Sequence, residues 1–200
     1  MIALIDYGIS NLRSVQKAFE HLDTEVTLVD TPDRLARADR LILPGVGAFP
    51  AGMKGLQERR LIDPIKQAAR EGRPLIGICL GMQLLFESSD EMGETDGLGL
   101  LPGRVTRMAG DGLKIPHMGW NQLDVMREHP LVRDLVSGSY AYFVHSYAIY
   151  PEDQSIVLAT TEYGGPCASI VGRNNVCGLQ FHPEKSQVVG LKLLKNFLSL

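Results

Sequence analysis

A chain of 200 residues, 44% hydrophobic and 22% charged, is long enough for one domain with a substantial core, and residues 1–200 are expected to form one. A formal net charge of −3 and a pI of about 5.9 remove the electrostatic case for a nucleic-acid or anionic-membrane partner. No apolar run approaches the length of a membrane span, and Met1–Asp6 leads straight into a strand-like segment with no basic leader. The three cysteines, Cys79, Cys167 and Cys177, are an odd number without CxxC or Cys/His metal-ligand spacing. Reduced thiols, a cytoplasmic location and neither metal nor other cofactor are the expectation.

Taken in order, Ile2–Ile5 reads as a buried strand and Asp6–Asn11 as a polar loop. A helix from about Asn11 to Leu22 puts Leu12, Val15, Phe19 and Leu22 on one face. Glu25–Val29 is a second strand, and Thr31 before Pro32 starts a short helix to about Arg37. Arg40–Leu43 is a third strand, followed by the loop Pro44–Phe49. Asp63 and Pro64 open a helix that Gly72 ends. Leu75–Ile78 is a fourth strand, with a helix-like run from Met82 to Glu87 just beyond it. Strands alternating with helices predict right-handed βαβ units and a parallel sheet covered on both faces. Function collects at the carboxyl ends of such strands, where the Asp6–Asn11, Pro44–Phe49 and Cys79 loops fall.

After Ser88 the pattern changes. Residues 89–103 read as a polar, glycine-rich loop. The runs 104–108, 122–125, 140–150, 156–162, 168–171 and 176–181, with turns such as Tyr163-Gly164-Gly165, read as mostly antiparallel strands. They are expected to extend the central sheet of a single α/β domain. A last helix, Gln187 to Leu198, offers Val188, Leu191, Leu194 and Leu198 as its apolar stripe.

Gly77-Ile78-Cys79-Leu80-Gly81 has the layout of a nucleophile elbow with cysteine in place of serine. A tight strand-to-helix turn excludes large neighbours, and the helix end favours a thiolate. A buried structural cysteine is the alternative. A cysteine nucleophile needs a base and an orienting group. His182-Pro183-Glu184 offers both, since Pro183 pushes His182 into extended backbone, where residues i and i+2 share a side, and a strand end with solvated polar residues is the alternative. An oxyanion hole needs fixed donors. The Leu80 amide is one, and the Gly45-Val46-Gly47 loop offers a second through Gly45 or Val46. That loop lacks the GxxxxGK[ST] signature of a phosphate loop.

The elbow and His182-Pro183-Glu184 together resemble the class I (triad) glutamine amidotransferases. Pro44-Gly45-Val46-Gly47-Ala48-Phe49, Pro116-His117-Met118-Gly119-Trp120-Asn121 and His182 to Ser186 narrow the resemblance to the glutaminase subunits of imidazole glycerol phosphate synthase, over the whole chain. The resemblance implies a Cys79–His182–Glu184 triad that releases ammonia from glutamine through a γ-glutamyl thioester. It implies that Gly47, Gln83, Ser146 and Tyr147 bind glutamine, although His145-Ser146-Tyr147 also reads as a plain strand end. One glutaminase domain uses all 200 residues, so a separate ammonia acceptor is expected, and the family implies a (β/α)₈ cyclase subunit. Asn11, Met118, Trp120, Asn121, Tyr142 and Lys185 are the implied contacts. Trp120, the sole tryptophan, also reads as an ordinary core or strand-edge aromatic, but interfaces favour Trp and Tyr. A glutaminase serving another synthase and a non-catalytic binding subunit remain alternatives.

Overall fold

A computed structural model describes residues 1–9, 11–109 and 112–200. Strands and helices alternate through the first half: β1 (Ile2–Ile5), α1 (Leu12–Glu20), β2 (Thr27–Val29), α2 (Pro32–Leu35), β3 (Arg40–Leu43), α3 (Phe49–Glu58), α4 (Ile62–Arg70), β4 (Leu75–Ile78) and α5 (Leu80–Leu84). The strands lie in the order β2-β1-β3-β4, all parallel. Successive side chains enter opposite cores, as a period of two requires. Ala3, Ile5, Leu41, Leu43 and Leu75 join one apolar cluster with α3 and α4. Leu4, Ile42, Ile76 and Ile78 join the other with Val15 and Phe19 of α1 and Leu193, Leu194 and Phe197 near the C-terminus.

Helix α3 was not expected from the sequence, which reads Phe49 as loop although it is the first residue of α3. Gly52 and Gly55 inside it argue against a helix by propensity. Close packing explains both. A Cβ on Gly55 would lie 2.3 Å from the Tyr7 carbonyl oxygen, and one on Gly52 would lie 3.1 Å from Leu84.

The second half supplies β5 (Ser88–Ser89), β6 (Thr95–Asp96), β7 (Gly103–Arg107), β8 (His117–Val125), β9 (Ser139–His145), β10 (Tyr147–Pro151), β11 (Val157–Glu162), β12 (Pro166–Arg173), β13 (Val176–Leu179) and α6 (Gln187–Leu198). β13 pairs with β4 in parallel, and antiparallel β12, β11, β8 and β9 complete a nine-stranded sheet. Two expectations need correction. The glycine-rich stretch at 89–103 holds β6 and contributes to β5. The 140–150 run is two strands, not one: the chain leaves the large sheet at Ser146, and β10 joins a separate four-stranded sheet, β10-β7-β5-β6. The buried set shifts phase there, from Ala141, Phe143 and His145 to Ala148 and Ile149, which moves the inward face.

The stripe of α6 is corrected in part: Leu194 is buried and Leu191 and Leu198 pack half-buried against the core as expected, but Val188 does not. Gly190, Leu193, Leu194 and Phe197 are its buried residues, whereas Val188 is 74% exposed. Gly190 sets the rotation, because a Cβ there would sit 1.9 Å from the Pro183 carbonyl oxygen.

Candidate active site

Strand β4 ends by donating the Cys79 N–H to the Leu179 carbonyl at 2.7 Å. The chain then turns within one residue. Cys79 has φ 54° and ψ −113°, and α5 begins at Leu80. A non-glycine residue held there costs about 1–3 kcal/mol, which the surroundings must offset. They do so by packing α5 almost onto the sheet. Cβ atoms added at Gly77, Gly81 and Gly178 would lie 2.6, 1.8 and 2.5 Å from neighbouring atoms, so only glycine fits. Gly178 and Gly77 are partners in register, which leaves a flat seat for Met82. The first backbone bond inside the helix is from Gln83 N–H to the Cys79 carbonyl, so the Leu80 amide precedes the ladder.

His182 arrives just beyond β13. Its N–H donates to the Tyr142 carbonyl at 3.0 Å, and its carbonyl accepts from the Ser186 hydroxyl at 2.7 Å. The Ser186 hydroxyl accepts in turn from Tyr142 N–H at 3.0 Å. His182 and Glu184 do meet, with Nδ1 2.7 Å from Oε1 and both side chains buried. The route differs from expectation. Pro183–Lys185 is a 3-10 turn, so Glu184 folds back beneath the ring instead of alternating along an extended strand. Asn11 Nδ2 also donates to Glu184 Oε1, at 3.1 Å.

Burial opposes a charge on His182, but the neighbouring Cys79 sulfur and the Glu184 carboxylate outweigh it and lift its pKa to about 10. The ring is therefore protonated at neutral pH. Its buried Nε2 has no hydrogen-bond partner among the described residues, and His182 lines the cavity over Cys79. A proton donor is held facing a space large enough for a small substrate.

That cavity, of about 310 Å³, is walled by Val46, Gly47, Cys79, Leu80, Gln83, Glu91, Pro116, Val144, His145, Ser146, Tyr147 and His182. All four residues expected around glutamine, Gly47, Gln83, Ser146 and Tyr147, are among them. Gln83 Nε2 donates to the Tyr147 carbonyl at 3.0 Å and to Gln180 Oε1 at 3.1 Å. Both amide hydrogens are thus used, and Oε1 is the atom it can offer a ligand. Val46 and Gly47 reach the cavity, with φ 103° at Gly47, while Gly45 lies buried beneath them. A Cβ at Gly45 would sit 2.3 Å from the Tyr7 hydroxyl. That hydroxyl donates to the Pro44 carbonyl at 2.6 Å, and burial, then the Cys79 charge, raises the pKa of the phenol.

Sequence reasoning missed Tyr7 and Glu91. Glu91 Oε2 accepts from Phe49 N–H at 2.7 Å, where α3 begins, so a carboxylate stands in the cavity wall. It falls in a run of acidic residues, Asp90 to Asp96, that reads only as solvated loop.

The candidate contact residues separate by strand face. Met118 and Trp120 point outward from β8 and are 60% and 47% exposed. Trp120 pairs in register with Tyr142, their rings edge to face at 6.0 Å, and Lys185 Nζ lies 5.7 Å from the Tyr142 ring. Asn121, one residue on, points to the opposite face and donates to His117 Nε2 at 3.2 Å. Asn11 is half-buried against Glu184.

Residues 3–199 match the family model described as glutamine amidotransferase class-I. The chain belongs to that family. This amidotransferase is 52% identical over 203 residues to the imidazole glycerol phosphate synthase subunit HisH of Syntrophotalea carbinolica, covering 98% of both chains. It is 52% identical over 202 residues to the subunit of the same name from Bacillus licheniformis, covering 98% of this chain and 95% of that one. Among solved structures, a glutamine amidotransferase crystal structure superposes on the amidotransferase with a TM-score of 0.79 at 22% identity, covering 100% and 98% of the two chains. A chain of PurLQS from Thermotoga maritima gives 0.77 at 23% identity, covering 99% and 97%. At these identities the structures establish the fold alone, a large mixed sheet flanked by helices.

Proposed function

We propose that this chain is the glutaminase subunit of an imidazole glycerol phosphate synthase, with residues 1–200 working as one domain. The buried His182–Glu184 pair at 2.7 Å, set against the strained Cys79, carries the chemistry. The full-length likeness to subunits of that synthase supports the choice of complex. Three unpaired thiols fit a cytoplasmic setting, where they stay reduced.

The Cys79 thiolate attacks the side-chain amide carbon of glutamine, and the amide oxygen becomes an oxyanion. The Leu80 amide and an amide of the Gly45-Val46-Gly47 loop stabilise it. His182 gives the Nε2 proton to the departing nitrogen, the C–N bond breaks, and ammonia leaves a γ-glutamyl thioester. His182, now neutral, takes a proton from water, whose oxygen attacks the thioester and releases glutamate. Glu184 holds the imidazole through both steps, and Asn11 holds Glu184. Gln83, Gly47, Ser146 and Tyr147, with the Glu91 carboxylate, grip the amino and carboxylate groups of glutamine.

Ammonia lost to water is protonated and no longer nucleophilic, so an acceptor must cover the site. A (β/α)₈ cyclase subunit takes that place, forming imidazole glycerol phosphate and an aminoimidazole carboxamide ribotide in histidine biosynthesis. The outward face of Met118, Trp120 and Tyr142, with Lys185 and Asn11 beside it, is the docking region, and Asn121 stands behind it on the opposite face of β8. Mixing the purified chain with that cyclase should give glutamine-dependent imidazole glycerol phosphate. Glutamine-dependent turnover gained only by a different acceptor enzyme would overturn the assignment.

A further inference from the structure

Two histidines outside the triad are buried at the end of β8 and β9. His117 and His145 face each other as register partners, with Nδ1 of His117 3.1 Å from Nε2 of His145. The contacts at both ends fix every proton between them. His145 Nδ1 is 2.8 Å from the Tyr147 carbonyl, which can only accept, so Nδ1 carries the hydrogen. Nε2 of His145 is then bare and accepts from His117 Nδ1–H. Nε2 of His117 is bare in turn and accepts from Asn121 Nδ2 at 3.2 Å. Asn121 Nδ2 also donates to the Glu162 carbonyl at 3.0 Å, and its Oδ1 accepts from Gln122 N–H at 2.8 Å, so its amide has one orientation.

The chain of bonds ends where the substrate would lie. The Tyr147 carbonyl that accepts from His145 also accepts from Gln83 Nε2, and Gln83 Nε2 reaches Gln180 Oε1. Gln83, His145 and Tyr147 all line the cavity over Cys79. Aromatic packing holds the relay in place. His117 is stacked between Phe143, at 4.6 Å, and Tyr163, at 4.0 Å.

Resting on the glutaminase reading above, we propose that Asn121, His117 and His145 form a one-directional relay of neutral hydrogen bonds. The relay sets the Tyr147 carbonyl and, through it, the Gln83 carboxamide that receives glutamine. All three are positioning residues for substrate, and the relay begins on the strand whose outer face carries Trp120. Charging either ring would set two donors against each other. Burial prevents this by pushing both pKa values down to about 4, although the Tyr147 carbonyl pulls the other way at His145. Charge repulsion, from His117 were it protonated and from His182, adds to the lowering at His145.

The test is steady-state glutaminase kinetics of the complex with its cyclase subunit. His117→Phe keeps a ring between Phe143 and Tyr163 but removes both nitrogens. It should raise KM for glutamine about fivefold, the worth of one hydrogen bond, and leave kcat within about twofold. His117→Gln, which keeps a donor and an acceptor, should recover most of that loss. An unchanged KM in His117→Phe, or equal losses in both variants tracking a fall in thermal midpoint, overturns the proposal. If His117→Phe does not fold, the wild-type ¹⁵N imidazole spectrum decides. Nδ1–H tautomers at both His117 and His145 at neutral pH uphold the relay, and an Nε2–H or protonated ring at either refutes it. A wild-type complex without glutaminase activity would refute the functional reading instead, leaving the relay to the spectrum.

Discussion

Gly81→Ala adds one methyl group where α5 meets β3. Its Cβ would lie 1.8 Å from the Leu43 carbonyl oxygen and 2.7 Å from the carbonyl carbon. Both are backbone atoms and cannot rotate away. Clearing 3.0 Å forces the start of α5 to retreat by about 1.2 Å. Gly81 is two residues from Cys79 and one from Leu80, so the retreat carries the proposed nucleophile and oxyanion donor with it. A misplacement of about 1 Å costs on the order of 10² in rate. Overpacking costs about 1–3 kcal/mol, or about 2–12 °C in Tm for a chain of this size. The measurements are kcat for glutamine hydrolysis in the complex and calorimetric unfolding of the free chain. Gly72→Ala is the control, since Gly72 has φ 80° but no atom within 4 Å of the added Cβ. It should lower Tm through backbone strain of about 1 kcal/mol and leave kcat within about twofold. If Gly81→Ala keeps kcat within about threefold of wild type, or Gly72→Ala slows the enzyme as much, the close-packed elbow does not control the chemistry.

Glu184→Gln keeps an oxygen that accepts from both His182 Nδ1 and Asn11 but loses the charge. A neutral acceptor in place of a charged one forfeits about 1–2 kcal/mol, so kcat should fall about tenfold with KM for glutamine little changed. An undiminished kcat would remove Glu184 from the mechanism. His182 also links stability to pH. Its pKa rises on folding from 6.5 to about 10, so its contribution is complete below about pH 6.5 and is lost as pH climbs through about 10. Denaturant unfolding across that window should show wild type losing stability later in the titration than Glu184→Gln, and coincident curves would contradict the assignment. Trp120→Ala should weaken binding of the cyclase subunit about 30-fold, as for truncation of an interface hot spot, without changing Tm of the free chain. Unchanged affinity by calorimetry would move the interface elsewhere.

What the sequence discloses depends on how local the determinant is. β1, β3, β4 and α6 have the bounds read from the sequence, because a strand buried on both faces or an amphipathic helix is written in its own segment, but the face α6 buries is set by Gly190 against Pro183 and is not. Cys79 was legible for the same reason: glycines at 77 and 81 lie within its own turn. His182 and Glu184 were found through Pro183, but the 3-10 turn that joins them depends on Ser186 bridging to Tyr142, a contact across 44 residues. Helix α3 stayed hidden because its glycines answer to Tyr7 and Leu84, not to helix propensity. Glu91 and the His117–His145 pair were unreadable because their roles exist only once Phe49 or a neighbouring strand stands opposite.

The central claim is that Cys79 forms a covalent bond to the γ-carbonyl of glutamine. Acid quenching of the complex during turnover, then peptide mass analysis, tests it directly. The account predicts one γ-glutamyl group on the peptide holding Cys79, labile to hydroxylamine and absent in Cys79→Ala, with Cys167 and Cys177 unmodified. Glutamine hydrolysis that persists in Cys79→Ala, or an adduct on another cysteine alone, would contradict it.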